Sequence, residues 1–258
     1  MSIFKSGNPT LSDKKFRSTV VEDLLTIDRS NTMTVNGTLQ KFGFLFLMVL
    51  GTAFYAWKSF AHGDNVAPLM WTGAIGGLVI ALILAFKPMW SPYLAPVYAL
   101  LEGLFVGAIS ASYNFAFANV APNIILNAVG LTLGVCIAMY LLYSFRIIQA
   151  TQKFKAVVMT ATAGVAIFYL IVLAMRAFGF TGMTFLHEGS AIGIGFSLFV
   201  VALAALNLIL DFDMIENGAA MGAPKYMEWY GAFGLLVTIV WLYLEILRLL
   251  SKLSSSRN

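Results

Sequence analysis

The sequence predicts an all-α membrane protein, a bundle of seven transmembrane helices with the last helix at its centre. Three observations carry that prediction. Only 11% of the 258 residues are charged and 60% are hydrophobic, whereas a soluble domain carries about 25% charged residues; a chain this apolar cannot cover a soluble surface. Seven apolar runs, at about 42–61, 66–86, 93–117, 124–145, 156–178, 190–215 and 234–253, are each near or above the ~20 residues that cross a bilayer as a helix. The last run is rich in Leu and Ile on every side, the pattern of a helix buried all round.

Residues 1–41 precede the first run as a polar, net basic arm, with Asn8-Pro9 as a loop signal and Phe16, Val20 and Leu24 at helical spacing over 12–27. That arm is expected to be solvated or to dock a partner. The first run begins near Phe42, too late for a cleavable signal peptide. Breakers separate the spans: Gly63-Asp64-Asn65, Lys87-Pro88, Ser91-Pro92, Ala121-Pro122-Asn123, the polar stretch 146–155, and 179–189. Pro96 lies inside the third run, where it can kink the helix. Gly73/Gly77, Gly103/Gly107, Gly130/Gly134 and Gly189/Gly193 recur four apart, a spacing that lets helix backbones approach closely. Residues 254–258 form a short tail.

With the N-terminus inside, eleven basic residues fall in inner segments and five in outer ones. This bias predicts a cytoplasmic N-terminus and, for a bacterial chain, the inner membrane. The three basic residues of the C-terminus run against it. They leave open a re-entrant last segment that would put the C-terminus inside.

The net charge of +4 is spread over span ends and does not suggest nucleic acid. The single Cys136 excludes a disulfide framework and a cysteine metal site, and reads as a small buried hydrophobe. There is no H-E-x-x-H, no G-x-S-x-G and no cysteine–histidine pairing, and His62 and His187 fall in outer loops. No enzyme and no cofactor are expected.

Two acids stand out because they lie in membrane-length apolar sequence, where an ionisable group is expensive and functional by default. Asp211 sits in Leu208-Ile209-Leu210-Asp211-Phe212, and Glu245 in Leu242-Tyr243-Leu244-Glu245-Ile246. A last helix starting at Tyr226 would place Glu245 roughly 28 Å along it, too far to meet Asp211 across a simple hairpin. The two meet only if about 219–233 is a separate interfacial piece and the last span covers 234–253, with Glu245 near mid-membrane. The expectation is that they do meet.

Two carboxyls in contact cannot both ionise cheaply and would share one proton, a latch between the two helices. The same pair could supply hard oxygen ligands to calcium, with Asn207, four residues before Asp211, in support. Arg248, three after Glu245, could instead neutralise it within the helix, leaving Asp211 at the inner boundary; this alternative makes the pair structural. Asp213 and Glu216 read as solvated end charges. Glu102, about ten residues into the third run, is a further mid-membrane acid.

Leu210-Asp211-Phe212-Asp213-Met214-Ile215 and Leu242-Tyr243-Leu244-Glu245 resemble the sixth- and seventh-helix motifs of the Bax inhibitor family of membrane proteins, in a bacterial branch. The likeness covers roughly residues 40–253. It implies a pH-sensitive calcium leak channel whose two motif acids form the sensor, with a basic residue at the end of the second helix latching onto the sixth-helix aspartate. This chain departs in three places. Glu245 replaces the second Asp, Arg248 adds a cation one turn from it, and the basic residue near the end of the second run is Lys87, followed by Pro88.

The function expected is therefore a pH-sensitive cation leak, for calcium first, gated by a buried carboxylate pair. Its partners would be calcium or another cation, protons and the lipid bilayer. Two alternatives stand: a proton-coupled small-solute transporter using Glu102 and Asp211, which inverted repeats would favour, and a non-transporting modulator that binds other membrane proteins.

Overall fold

The computed structural model describes residues 31–179 and 190–256; the expected helix over 12–27, most of the N-terminal arm and His187 lie outside the described residues. Seven long helices, and no strand, occur among the described residues. They are α1 (Val35–Ala61), α2 (Ala67–Phe86), α3 (Ser91–Ala116, preceded by a 3₁₀ turn Pro88–Trp90), α4 (Ile124–Ser144), α5 (Gln152–Ala177), α6 (Ala191–Ala220) and α7 (Met227–Ser255). Each is long and apolar enough to cross a membrane.

Local chemistry sets the boundaries. Thr34 caps α1 by accepting from Gly37 N, and Gly63 ends the helix at φ 87°. Asn65 accepts from Ala67 N at 3.0 Å to open α2, which stops at Lys87-Pro88. Ser190 caps α6 through Gly193 N, and the α6–α7 turn passes through Gly222 at φ 69°. These two positive φ values are where an L side chain would be strained. Arg146 takes a left-handed φ of 58° just after α4.

The first, sixth and seventh helices overrun the predicted spans. α1 starts at Val35 rather than 42, α6 runs to Ala220 rather than 215, and α7 starts at Met227 rather than 234. Apolar runs report the stretch that hydrocarbon must solvate, whereas the helix continues as long as its polar residues find partners.

α7 is the central helix. It packs on α6, α1, α4 and α3 and carries the largest buried share of any span. It is not apolar all round, because Glu228, Glu245 and Lys252 are buried on it. α1, α2 and α3 form one tightly packed flank. A Cβ at Gly103 or Gly107 would collide with the α1 backbone at Val49 or Ala53, and one at Gly73 with the α3 backbone at Leu101 and Phe105. Gly130 and Gly134 meet nothing within 4 Å. Close packing therefore accounts for the first two glycine pairs and not for the third. α5 stands at the other flank and packs mainly on α6, through Val158 and Val165 against Val200 and Leu203.

Candidate functional site

The α6–α7 hairpin holds both predicted acids, and its register decides whether they meet. α7 is one unbroken helix from Met227, so the separate interfacial piece at 219–233 does not form. Ile215 packs at Gly231, where a Cβ would lie 3.2 Å from it. Two turns further from the hairpin turn, Thr238 faces the Asp211 carboxyl. At the far end, Lys252 Nζ donates to Ser197 Oγ at 2.7 Å and to Gly193 O at 3.0 Å. These contacts fix a simple antiparallel register. Thr238 and Glu245 are seven residues apart, roughly 10 Å along the helix. Asp211 and Glu245 therefore face α7 and α5 at different depths and form no carboxyl pair; the unbroken helix is the reason.

Glu245 is 2% exposed and fully partnered. Arg248 Nη1 donates to Oε1 at 2.9 Å and to Oε2 at 3.1 Å. Tyr169 of α5 donates to Oε1 at 3.1 Å, and Arg248 Nη1 also reaches the Tyr169 oxygen at 2.7 Å. The guanidinium lies over the Tyr169 ring, 5.3 Å from its centre. The in-helix ion pair that stood as the alternative is what forms, and α5 adds a hydroxyl that the sequence did not announce.

Asp211 is the opposite case. Its Oδ2 is buried and has no hydrogen-bond partner. Asn207 does not serve it: the amide donates to Thr162 Oγ1 of α5 and to Leu203 O, both at 2.8 Å. Lys87 does not serve it either. That side chain is exposed, with its Nζ 4.6 Å from the centre of the Trp90 ring. An unpaired buried carboxylate oxygen is costly.

Glu102 is buried in the packing of α2 on α3. Its Oε2 would be 3.0 Å from a Cβ at Gly77, and Tyr98, one turn away, stacks edge-on against Phe233 of α7 at 4.9 Å. Asp213 and Glu216 are not free end charges. Lys155 pairs with Asp213, Arg146 with Glu216 at 2.9 Å, and Tyr143 donates to Glu216. These contacts tie the α4–α5 connection to the end of α6.

Glu228 lies in the 219–233 stretch expected to be interfacial, yet it is fully buried. Lys41 of α1 and Lys225 (3.0 Å) pair with it, and the Thr34 amide and hydroxyl donate to Oε1 at 2.9 and 2.8 Å. Gly37 leaves the room, since a Cβ there would strike the carboxylate. The Lys225–Glu228 spacing of three was a visible signal; nothing local pointed to Lys41.

Among the described residues no three His, Cys, Asp or Glu side chains converge. Asp211 and Glu245 thus supply no joint calcium cage, and a cation at Asp211 would keep water or carbonyl oxygens as its other ligands. The arrangement offers one carboxylate with an unpartnered oxygen and one neutralised carboxylate, at different depths of the α6–α7 hairpin.

None of the curated proteins matches the chain. A family model described as Bax inhibitor 1 like matches residues 7–255. That match runs through all seven helices and both acid-bearing motifs, and the chain belongs to the Bax inhibitor 1 like family of membrane proteins.

Proposed function

We propose that the chain is a proton-regulated cation leak, calcium being the first ion to test, with Asp211 as the group that gains and loses the proton. The family is associated with membrane-embedded channel and transport roles. The observation that carries the finer proposal is the buried Asp211 Oδ2 without a partner, beside the central helix. Deprotonated, Asp211 places an uncompensated negative charge inside the bundle, which attracts a cation. Protonated, it attracts none. Flux should therefore rise as Asp211 loses its proton. Glu245 is a fixed group in this scheme, because Arg248 and Tyr169 already complement its charge.

We place the N-terminus in the cytoplasm and the bundle in the inner membrane. Lys41, Lys87, Lys155 and Lys225 sit at helix ends on one side of the bundle, together with Arg146. Basic residues favour the cytoplasmic face.

The test is calcium flux into liposomes holding the purified protein, across a pH series. The parent should show a pH-dependent flux, and Asp211→Asn should flatten it, because an amide has no proton to lose. Glu245→Gln should leave the midpoint in place. A parent and Asp211→Asn with the same midpoint and amplitude would end the proposal.

A further inference from the structure

An apolar cleft of about 560 Å³ opens between α1 and α4, with α3 and α7 as its floor; Phe46, Phe54, Trp57, Val129, Leu133 and Tyr243 are among its walls. Its size falls in the roughly 300–1,000 Å³ range of small-molecule sites. α1 and α4 both pack on α7 yet barely touch one another, so the cleft faces sideways, toward the bilayer. Leu50, Phe54 and Leu133 are exposed on its rim.

The hydroxyls within the cleft are already occupied. Ser110 Oγ and Tyr243 Oη bond each other at 2.6 Å, and Thr132 Oγ1 donates to Ala128 O at 2.7 Å. Apart from the Trp57 indole N–H at its interfacial end, the cleft gives water few partners and suits hydrocarbon. On α1 the lining runs from Phe46 to Trp57, eleven residues or roughly 16 Å along the helix axis. It stops one residue short of Lys58, which is exposed in the last turn of α1. Among the described residues Lys58 forms no ion pair, and Asp64 in the following turn does not pair with it.

We propose that this cleft holds one acyl chain of an anionic glycerophospholipid from the surrounding bilayer, its headgroup phosphate meeting Lys58. An elongated apolar slot aligned with the membrane normal suits an alkyl chain. An unpaired ammonium at its interfacial end suits a phosphate. Trp57 beside it is the residue type that sits at headgroup level.

The test uses the full chain in phosphatidylcholine vesicles carrying a trace of phosphatidylglycerol, or of phosphatidylcholine, with a diazirine on the acyl chain. After illumination, adducts are mapped by peptide mass spectrometry. Adducts at Leu50, Val129 and Leu133 should exceed those at Leu78 and Leu82 of α2 several-fold. Lys58→Glu should lower phosphatidylglycerol adducts several-fold and leave phosphatidylcholine adducts nearly unchanged. Leu133→Trp should fill the slot and lower both, with Leu82→Trp as the control on a plain lipid-facing surface. Val129→Trp replaces Leu133→Trp if that variant does not elute as the parent does. Equal labelling of the cleft and of α2, or phosphatidylglycerol adducts indifferent to Lys58→Glu, would overturn the proposal. So would a cleft silent to both lipids in which Leu50→Cys forms disulfide-linked dimers, since a second copy would then cover it.

Discussion

Glu228 and Asp211 are both acids of the last helical hairpin with buried carboxylate oxygens, and their surroundings differ completely. Glu228 receives two lysines, a backbone amide and a hydroxyl, in a pocket kept open by Gly37. Asp211 faces Thr238 and leaves one oxygen with no partner. Burial alone thus does not mark a functional acid in this bundle. A buried acid with a full set of donors joins two elements, and one without them holds free energy in reserve. The α1–α3 flank, where Glu228 docks, is packed backbone to backbone at Gly103 and Gly107. On the other flank α5 packs mainly on α6.

The largest effect should come from Glu228→Ala. Removing one partner of a buried ion pair costs about 3–5 kcal/mol. Here ~3 kcal/mol is expected, because Lys41 and Lys225 are 21% and 44% exposed and can turn toward water. Thermal unfolding in detergent reads it, with Glu216→Ala as the comparison. Glu216 and its partner Arg146 are 45% and 64% exposed, and such a pair contributes about 0–1 kcal/mol. Equal losses in the two variants would erase the distinction between the sites.

Arg248→Ala should cost about 2 kcal/mol, since it leaves Glu245 buried with Tyr169 alone. Adding Glu245→Gln should recover part of that loss, because the orphaned charge goes with it. A double variant as unstable as the sum of the two singles would mean that the groups are not coupled.

The packing half of the comparison is sharpened by two glycines. Gly107→Ala should cost ~2 kcal/mol by overpacking against Ala53. Gly134→Ala, with open space around it, should be neutral or stabilising by up to about 1 kcal/mol through helix propensity. Matching melting shifts would show that the α1–α3 contact is looser than the structure has it.

Opposite in sign to Glu228→Ala, Asp211→Asn should raise stability by ~1 kcal/mol at neutral pH, because an amide is cheaper to bury than a lone charge. A loss instead would mean that Asp211 is held by partners, as Glu228 is.

The seven spans were legible because hydrocarbon leaves a run of about twenty apolar residues wherever a helix crosses it. The Glu245–Arg248 pair was legible because i,i+3 neighbours share a helix face whatever the fold does. The meeting of Asp211 with Glu245 was misjudged because it depended on where α7 begins. Residues 226–233 look interfacial by composition, but in the fold Glu228 is buried against Lys41 and Thr34 of the first helix where α7 starts. That pairing is tertiary and leaves no periodic trace. The same holds for Asn207, whose hydrogen bond goes to Thr162 of a neighbouring helix rather than to the acid one turn away.

The distance along the chain between Lys41 and Glu228, 187 residues, bears on how the protein is made. α1 leaves the ribosome first and α7 last. While the intervening helices are being inserted, α1 and α3 can already close their glycine contacts, but the seat for α7 stays empty and Lys41 stays unneutralised. A nascent chain stalled before Glu228 therefore carries an unfilled groove with an unpaired lysine at its end. Arrival of the last helix pairs Lys41 with Glu228 and fills the groove in one step.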